Sequence, residues 1–358
     1  MIATTTAGGP SEPEAIIERR GAAGLVILNR PRALNALTHA MTHAIAWALD
    51  DWEHDERIER VVFAGAGDRA FCAGGDVRAL YGLGLAGDHA RQLAFWRDEY
   101  RLDWRVKRYS KPIWALVDGL VMGGGVGLAL HASRRVATER AHFAMPEVGI
   151  GFFPDVGATY VLSRLPGRLG AYLVATGLGV DAGDMAAVGL VDAFAPRERL
   201  SGLLEDLTKP DGETRASAAF AAAPPANLLN DKAMIAEAFS ALDRRRALAA
   251  LARERAPAAA AALEAMREKC PMSQEIALRQ VASAAVMTFE DVLRQDYRIV
   301  WRICRADNFL EGVRAAIIDK DRRPRWRPAF DEEIDPAELD AYFSPLGGDE
   351  LKFQNGAS

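Results

Sequence analysis

The segment "PIWALVDGLVMGGGVGLALHASRRVATERAHFAM", residues 112–145, decides the fold class. It opens with a short apolar run, passes through three consecutive glycines into a stretch with helical periodicity, and returns to strand character. Upstream, the apolar runs "GLVILN" and "VVFAG" flank the helical pattern "LTHAMTHAIAWALDDWEHD", and downstream the alternation continues to "GLVDAFAP". Alternating strands and helices predict an α/β fold with largely parallel strands.

The composition changes near residue 200. The segment "TKPDGETRASAAFAAAPPANLLND" is rich in Ala, Pro and polar residues, as expected at a boundary, and the remainder of the chain is almost entirely helix-forming. We therefore predict a disordered lead-in at 1–14, an α/β core at 15–200, and a helical region at 201–358 that covers the core and its site.

Bulk properties exclude several classes of function. The chain has 358 residues and a net charge of −5, which argues against a nucleic-acid surface. Its three cysteines are far apart and lack metal-ligand spacing. The N-terminus lacks the apolar segment of a signal peptide, and no apolar run is long enough to cross a bilayer. These features predict a soluble cytoplasmic protein with no nucleic-acid or membrane partner.

Two glycine-rich turns follow predicted strands and open predicted helices. The first lies in "AFCAGGDVRALY", residues 70–81, and the second in "MGGGVGLALHA", residues 122–132. The second turn is neither a dinucleotide fingerprint nor a phosphate-binding loop, because the acidic residue after a following strand and the Lys–Ser/Thr ending are missing. Together the turns could present two N–H groups to one oxygen, which is the arrangement of an oxyanion hole. The alternative for the first turn is an ordinary helix start capped by Asp76.

Two acids lie in the apolar segment "MPEVGIGFFPDVG", residues 145–157. Proline precedes both Glu147 and Asp155, and hydrophobic surroundings raise the pKa of a carboxyl group into the range useful for acid–base chemistry. The alternative for Asp155 is a cap on the following helix. His39 and His43 have the i, i+4 spacing of a metal pair, but no third ligand is evident, so we predict no metal site. Glu99 by itself is expected on a solvated helix face.

These motifs, in this order and spacing, resemble the crotonase (enoyl-CoA hydratase/isomerase) superfamily, from about residue 15 to residue 345. The segments "LNRPRALNAL", "FCAGGDVRALY", "MGGGVGLAL" and "MPEVGIGFFPDVG" carry the resemblance. The endings "KCPMSQEIALRQ" and "DNFLEGVRAAIIDKDRRPRWRP" are similar to the 3-hydroxyisobutyryl-CoA hydrolase branch. The resemblance implies a ββα spiral core with the helical C-terminal region over the active site.

The resemblance also implies roles for individual residues. Gly75 and Gly124 would supply the two oxyanion-hole N–H groups. Glu147 would be the principal catalytic carboxylate and Asp155 the second acid. The predicted substrate-binding set comprises Ala73, Glu99, Gly124, Glu147, Asp155, Ala33, and Arg30 and Arg32, with the two arginines near the CoA phosphates.

One departure from the family bears on the reaction. The hydratases carry a glutamate shortly after the triple glycine, whereas this chain has Gly127 there. The resemblance therefore implies hydrolysis of a short branched 3-hydroxyacyl-CoA, with CoA as part of the substrate and no cofactor. The alternative is a hydratase or isomerase acting on a short enoyl-CoA. Crotonase relatives often assemble, so a homo-oligomer is possible.

Overall fold

The computed structural model describes residues 13–353, and strands occur only in the first two hundred residues of that range. The strands are β1 Ala15–Arg20, β2 Ala23–Leu28, β3 Arg60–Gly65, β4 Ala70–Cys72, β5 Ile113–Val117, β6 Leu120–Met122, β7 Arg134–Ala137, β8 His142–Ala144, β9 Val180–Asp181 and β10 Ala193–Phe194.

Helices alternate with these strands and then make up most of the remaining chain. Those among the strands are α1 His39–Glu53, α2 Val77–Leu85, α3 His89–Arg108, α4 Gly124–Leu130, α5 Ala158–Leu162, α6 Leu169–Thr176 and α7 Ala182–Ala187. Those beyond the strands are α8 Leu200–Leu207, α9 Gly212–Ala216, α10 Lys232–Ala238, α11 Arg244–Leu251, α12 Pro257–Glu268, α13 Pro271–Ala284, α14 Phe289–Ile303, α15 Asp307–Val313 and α16 Pro336–Phe343.

The strands form two sheets. The larger has the order β1-β2-β3-β5-β7-β10 and is parallel except for β1–β2. The smaller has the order β4-β6-β8-β9 and is parallel except for β8–β9. Three times in succession the chain places one strand in the larger sheet and the next in the smaller: β3 and β4, β5 and β6, β7 and β8. The predicted α/β class and ββα spiral are confirmed.

The segment "RRVATERAHFAM", predicted as one stretch of strand, contains two strands that belong to different sheets. Between β7 and β8 the Ala141 N–H donates to the Thr138 carbonyl at 3.0 Å, and the Arg140 N–H donates to the Thr138 hydroxyl at 3.2 Å. This turn redirects the chain from the larger sheet to the smaller. The strand pattern of the sequence does not reveal such a turn, because apolar residues typical of strands lie both before and after it.

The larger sheet is covered on both faces at its centre, which explains why β2 and β5 are continuously apolar. In β2, Val26 and Leu28 face the main core, whereas Leu25 and Ile27 face a second cluster that includes Leu203 of α8. The main core also includes buried residues of the C-terminal helices α13 and α14. The α/β region and the helical region therefore share one apolar interior.

Most of the predicted lead-in lies outside the described residues. Glu14, its last residue, is placed: its carboxylate lies 3.1 Å from the Arg30 guanidinium and accepts a hydrogen bond from the Thr38 hydroxyl. Helices are present beyond residue 231, as predicted. None of the helices within 13–353 combines the length and hydrophobicity that a membrane span requires.

Candidate active site

A cavity of about 360 Å³ lies where the two sheets and the C-terminal helices meet. Its volume is in the range of small-molecule sites. Its walls come from both regions of the chain, and apolar side chains dominate them. The lining residues are Ala73, Gly74, Gly75, Val77, Leu80, Phe95, Trp96, Glu99, Met122, Gly123, Gly124, Pro146, Glu147, Gly149, Ile150, Phe152, Asp155, Lys269, Phe309 and Ile317.

The two glycine-rich turns pack against each other on one side of this cavity. Gly74 has a φ of +107° and Gly123 a φ of +48°, conformations that favour glycine. A Cβ on Gly74 would lie 3.5 Å from Gly123 Cα and 3.7 Å from Gly124 N, so the two backbones are in close approach. The Gly75 amide donates to no backbone acceptor among residues 13–353, and Gly124 is the first residue of α4, whose N–H has no partner within the helix.

The first turn contains two side chains with structural roles. Asp76 accepts a hydrogen bond from the Ala79 N–H at 3.2 Å, so it caps α2 as the alternative interpretation expected. Cys72 is fully buried, and burial raises the pKa of its thiol to about 12. A thiol that stays protonated at neutral pH is a poor nucleophile.

Glu147 is the first residue of the short 3₁₀ turn Glu147–Ile150, and its Oε1 lies 3.4 Å from the position a Cβ would take on Gly123. It is buried, and its Oε2 has no hydrogen-bond partner among the described residues. Burial, together with the nearby Asp155 carboxylate, raises the pKa of Glu147 well above its usual value. A buried acid that lines a cavity and has an unpartnered oxygen is a candidate for proton transfer or nucleophilic attack.

Asp155 lines the same cavity from the turn that precedes α5. Its Oδ2 accepts a hydrogen bond from the Tyr100 hydroxyl at 2.8 Å, and its side chain does not cap α5. The capping alternative is therefore wrong. Burial raises the pKa of Asp155 to about 7, although the Tyr100 hydrogen bond opposes the shift. A carboxyl group that titrates near neutral pH can both accept and return a proton.

The Asp155 turn is held by three side chains: one directly after α4, one on α13 and one on α14. Val156 adopts a φ of +53°, a strained value for a β-branched residue, and its carbonyl accepts from His131 Nε2 at 2.7 Å. Asp296 on α14 accepts from the Gly157 N–H at 2.9 Å. Gln280 on α13 donates to Asp296 at 2.8 Å and to the Pro154 carbonyl at 3.2 Å. The helical region thus orients the second acid of the site.

Glu99 lines the cavity and is only 3% exposed, so the expectation of a solvated face was wrong. Its contact with the substrate, which the resemblance implies, stays a prediction. One turn further along α3, Asp103 is also buried, and neither of its oxygens has a partner among the described residues. Sequence analysis missed Asp103. It could have been found from its spacing, because it follows Glu99 by four residues and so lies on the same face of α3, the face that carries Phe95 and Leu102.

Helix α4 accepts these two acids because it has glycines opposite them. A Cβ on Gly124 would overlap Glu99 Oε1, and a Cβ on Gly127 would overlap Asp103 Oδ1. The pKa of each carboxyl group is raised well above its usual value. Burial is the larger cause, and repulsion from neighbouring acids adds to it. The space beside α4 that a side chain at position 127 would occupy is therefore filled by an acid from α3.

Five of the eight predicted substrate-binding residues share the cavity, namely Ala73, Glu99, Gly124, Glu147 and Asp155, and three do not. Arg30 lies 2.9 Å from Asp76 and 3.1 Å from Glu14, and it also donates to the Ala36 carbonyl. Arg32 and Ala33 are exposed on the short helical turn Pro31–Ala33. Their contacts with CoA stay a prediction.

Lys269, which sequence analysis did not select, is the cation that lines the cavity. It follows α12, and its side chain passes over Gly149, with its Nζ 3.6 Å from the position a Cβ would take there. No carboxylate within residues 13–353 forms an ion pair with it. Its ammonium group can therefore bind an anionic group at the cavity.

Comparison with known proteins places the chain in a family. Residues 23–343 match the family model described as enoyl-CoA hydratase/isomerase. The chain belongs to this family, whose fold is the crotonase fold.

The relatives and solved structures bear different activity names. The rat protein named 3-hydroxyisobutyryl-CoA hydrolase, mitochondrial, is 40% identical over 351 residues, covering 95% of this chain and 91% of the relative. A solved carnitinyl-CoA dehydratase from Mycobacterium thermoresistibile is 37% identical with a TM-score of 0.92, covering 96% of this chain and all of that one. A solved enoyl-CoA hydratase from Rhodobacter sphaeroides is 39% identical with a TM-score of 0.91, covering 95% of this chain and all of that one.

Proposed function

We propose that the protein hydrolyses the thioester of a short branched 3-hydroxyacyl-CoA, and that 3-hydroxyisobutyryl-CoA is its substrate. One observation carries the proposal: the Glu147 and Asp155 carboxyl groups share a cavity with two glycine turns, whereas α4 contributes no acid. Relatives that match almost the whole chain are named for this hydrolysis in rat, chicken and human.

The amides of Gly75 and Gly124 are the proposed oxyanion hole. As a nucleophile adds to the thioester carbonyl, negative charge develops on its oxygen, and two preorganised N–H donors stabilise that charge at little reorganisation cost. Removing one such donor typically lowers kcat about 10²- to 10³-fold. The backbone supplies both donors, so no side chain is needed at either position.

Glu147 is the group that starts the reaction, by one of two routes. As a general base, it takes a proton from water while the hydroxide adds to the carbonyl carbon; the intermediate then expels the CoA thiolate. As a nucleophile, its carboxylate adds to the carbonyl and forms a mixed anhydride with loss of the thiolate, and water then cleaves the anhydride. In both routes Asp155, with a pKa of about 7, returns a proton to the thiolate or orients the hydroxyl group of the acyl chain.

The second candidate function is hydration of a short enoyl-CoA. Two solved structures at 37% and 39% identity, titled dehydratase and hydratase, favour it. The absence of an acid at Gly127 weighs against it, since hydration by two glutamates requires one there, and Asp103 fills that space. The proposed hydrolysis needs only groups that the chain provides, so we propose no metal or redox cofactor for it. Assembly and cellular location remain predictions; the rat relative's name specifies mitochondria.

The deciding experiment measures two reactions on one preparation. Release of free CoA thiol from (S)-3-hydroxyisobutyryl-CoA is followed with a thiol reagent, and hydration of crotonyl-CoA is followed by loss of its double-bond absorbance. We expect rapid thiol release with negligible hydration. Hydration without thiol release would overturn the proposal in favour of the second candidate.

A single-turnover reaction in oxygen-18 water tests for an anhydride that water cleaves at the Glu147 carbonyl. The general-base route puts the heavy oxygen into the product acid in the first turnover. An anhydride cleaved at the Glu147 carbonyl puts it into the protein, where peptide mass spectrometry locates it.

A further inference from the structure

Two histidines and an aspartate converge on one point of the surface outside the cavity. His39 is the first residue of α1 and His43 lies one turn later, while Asp98 comes from α3. The His39 and His43 Nε2 atoms lie 2.7 Å and 2.8 Å from the same oxygen, Asp98 Oδ2. The two imidazole rings are 4.3 Å apart between centroids. The third ligand that the sequence does not show is therefore supplied by packing of α3 against α1.

The three side chains are accessible from solvent. Their exposed fractions are 38% for His39, 61% for His43 and 27% for Asp98. The three ligand atoms all lie within 4.8 Å of one another. Ligands of one zinc ion lie roughly 3 to 4 Å apart, because each bond is about 2.0 to 2.2 Å long. Small side-chain rotations, which exposed groups can make at little cost, would bring the three atoms to that geometry.

We propose that His39, His43 and Asp98 form a binding site for a divalent transition metal of the zinc class. Two imidazole nitrogens and one carboxylate oxygen are a donor set that suits Zn²⁺, Co²⁺ and Ni²⁺ better than Mg²⁺ or Ca²⁺. Histidines four residues apart on one helix present both rings on the same face. The metal takes the place of the protons that otherwise link the rings to Asp98, and its remaining positions face water.

One neighbouring charge opposes the metal and also limits how it binds. Arg101 Nη1 lies 3.7 Å from Asp98 Oδ1, the oxygen that the histidines do not contact. Its positive charge weakens cation binding, and its position favours a single metal bond from Asp98, through Oδ2. The three cysteines are all buried and do not compete for metal in the folded protein.

The site joins two elements that also build the cavity. The His39 ring packs edge-on against Phe95, with centroids 6.0 Å apart, and Phe95 lies 3.1 Å from the position a Cβ would take on Gly75. Asp98 directly precedes Glu99 on α3. A metal bound to all three ligands therefore cross-links α1 to α3 and stabilises the folded state, since it binds that state and not the separated helices.

The test is metal binding to the full chain, with Zn²⁺ in competition against a chromogenic chelator and Co²⁺ observed through its visible absorption. The variants are His39→Gln, His43→Gln and Asp98→Asn, and the control is His54→Gln, an exposed histidine that follows the same helix. Thermal unfolding with and without Zn²⁺ is recorded for all of them.

We expect one metal per chain in the unaltered protein and in the His54→Gln control, with a higher Tm in the presence of Zn²⁺. Each histidine variant should lose at least ~10-fold in affinity, together with the Tm increase, because loss of supporting groups around a metal already costs 10- to 100-fold. Equal binding by His39→Gln, His43→Gln and the unaltered protein would overturn the proposal, as would the absence of stoichiometric binding.

Discussion

At the scale of single residues, the site is a set of acids held in an unfavourable environment. Glu147, Asp155, Glu99 and Asp103 are all buried, and burial is the largest cause of the raised pKa of each carboxyl group. A folded protein does not gain stability from such groups. Glu147, Asp155 and Glu99 line one cavity, and Asp103 lies one turn beyond Glu99 on α3. Such a grouping of acids is typical of a site for acid–base chemistry near neutral pH, and it indicates function more strongly than any one of the acids does.

Glu147→Gln should abolish thioester hydrolysis while leaving binding of the CoA ester largely intact. The amide has almost the same shape as the acid, but it neither accepts a proton nor attacks a carbonyl. Turnover is measured by thiol release and binding by calorimetry with a non-hydrolysable CoA thioether. Normal kcat in this variant would remove Glu147 from its role.

Asp155→Asn should lower kcat by at least ~10² and at the same time stabilise the protein at pH 8. The pKa of Asp155 is raised in the folded state, so its contribution to stability is greatest below about pH 4 and is lost as pH rises towards 7. Asparagine keeps an acceptor for Tyr100 without the buried charge. We expect a gain in unfolding free energy on the order of 1 to 4 kcal/mol at pH 8.

Thermal unfolding at pH 5 and pH 8 checks the sign, and the exposed Asp68→Asn is the control. The gain in stability from Asp155→Asn should be smaller at pH 5, because Asp155 in the folded protein is already protonated there. A change in kcat within twofold would make Asp155 a structural residue.

At the scale of elements, the pairing of α3 with α4 decides which acids enter the site. Glycines at 124 and 127 on α4 leave room for Glu99 and Asp103 on α3. The family's hydratases, by the resemblance, carry a glutamate on this part of α4. The same region of the fold therefore receives its acids from a different helix here, which gives a physical reason for a different reaction.

Gly127→Ala should destabilise the protein by about 1 to 3 kcal/mol, because the added Cβ overlaps Asp103 in a packed interior. Gly82→Ala, at a helical glycine with open space around it, is the matched control and should stabilise by about 0.5 to 1 kcal/mol. Chemical denaturation measures both. Adding Asp103→Ala to Gly127→Ala should recover part of the lost free energy of unfolding. If the changes in that free energy caused by the two single substitutions simply added in the double variant, the two positions would not interact.

At the scale of the whole molecule, the helical region completes the site as well as the core. Lys269, Phe309 and Ile317 line the cavity, and Asp296 and Gln280 hold the Asp155 turn. The α/β region by itself would leave the cavity open to water and the second acid unsupported. We interpret the covering helices as the means by which the protein closes its site within one chain.

Lys269→Gln should raise KM for the acyl-CoA by about 3- to 10-fold with little change in kcat. One charge-assisted hydrogen bond to an anionic group typically contributes about 1.5 to 3 kcal/mol when buried, and part of that is lost at a solvent-accessible mouth. Arg32→Gln, on the exposed turn outside the cavity, is the comparison. Equal KM values for Lys269→Gln and the unaltered protein would place the anionic groups of CoA elsewhere, and a larger effect of Arg32→Gln would favour the sequence prediction.

A structural feature of this protein is predictable from the sequence when it depends on residues that are close together along the chain. The alternation of "PIWALV", "GGGVGLAL" and "RRVA" was enough for the α/β class, because strand and helix periods are local properties. Glycine turns and Pro-flanked acids were visible for the same reason. The division of β7 from β8, and the burial of Glu99, were not visible, because each depends on what another segment packs against.

The sequence by itself therefore determined the fold class, the two glycine turns and the pair of acids, all of which are written in short stretches of chain. Only the tertiary structure decided which groups meet. It placed Asp103 against Gly127, set Lys269 at the cavity in place of Arg30, and brought Asp98 to His39 and His43. The physical reason is that side chains distant in sequence become neighbours only when buried apolar surfaces fix the helices and sheets against one another.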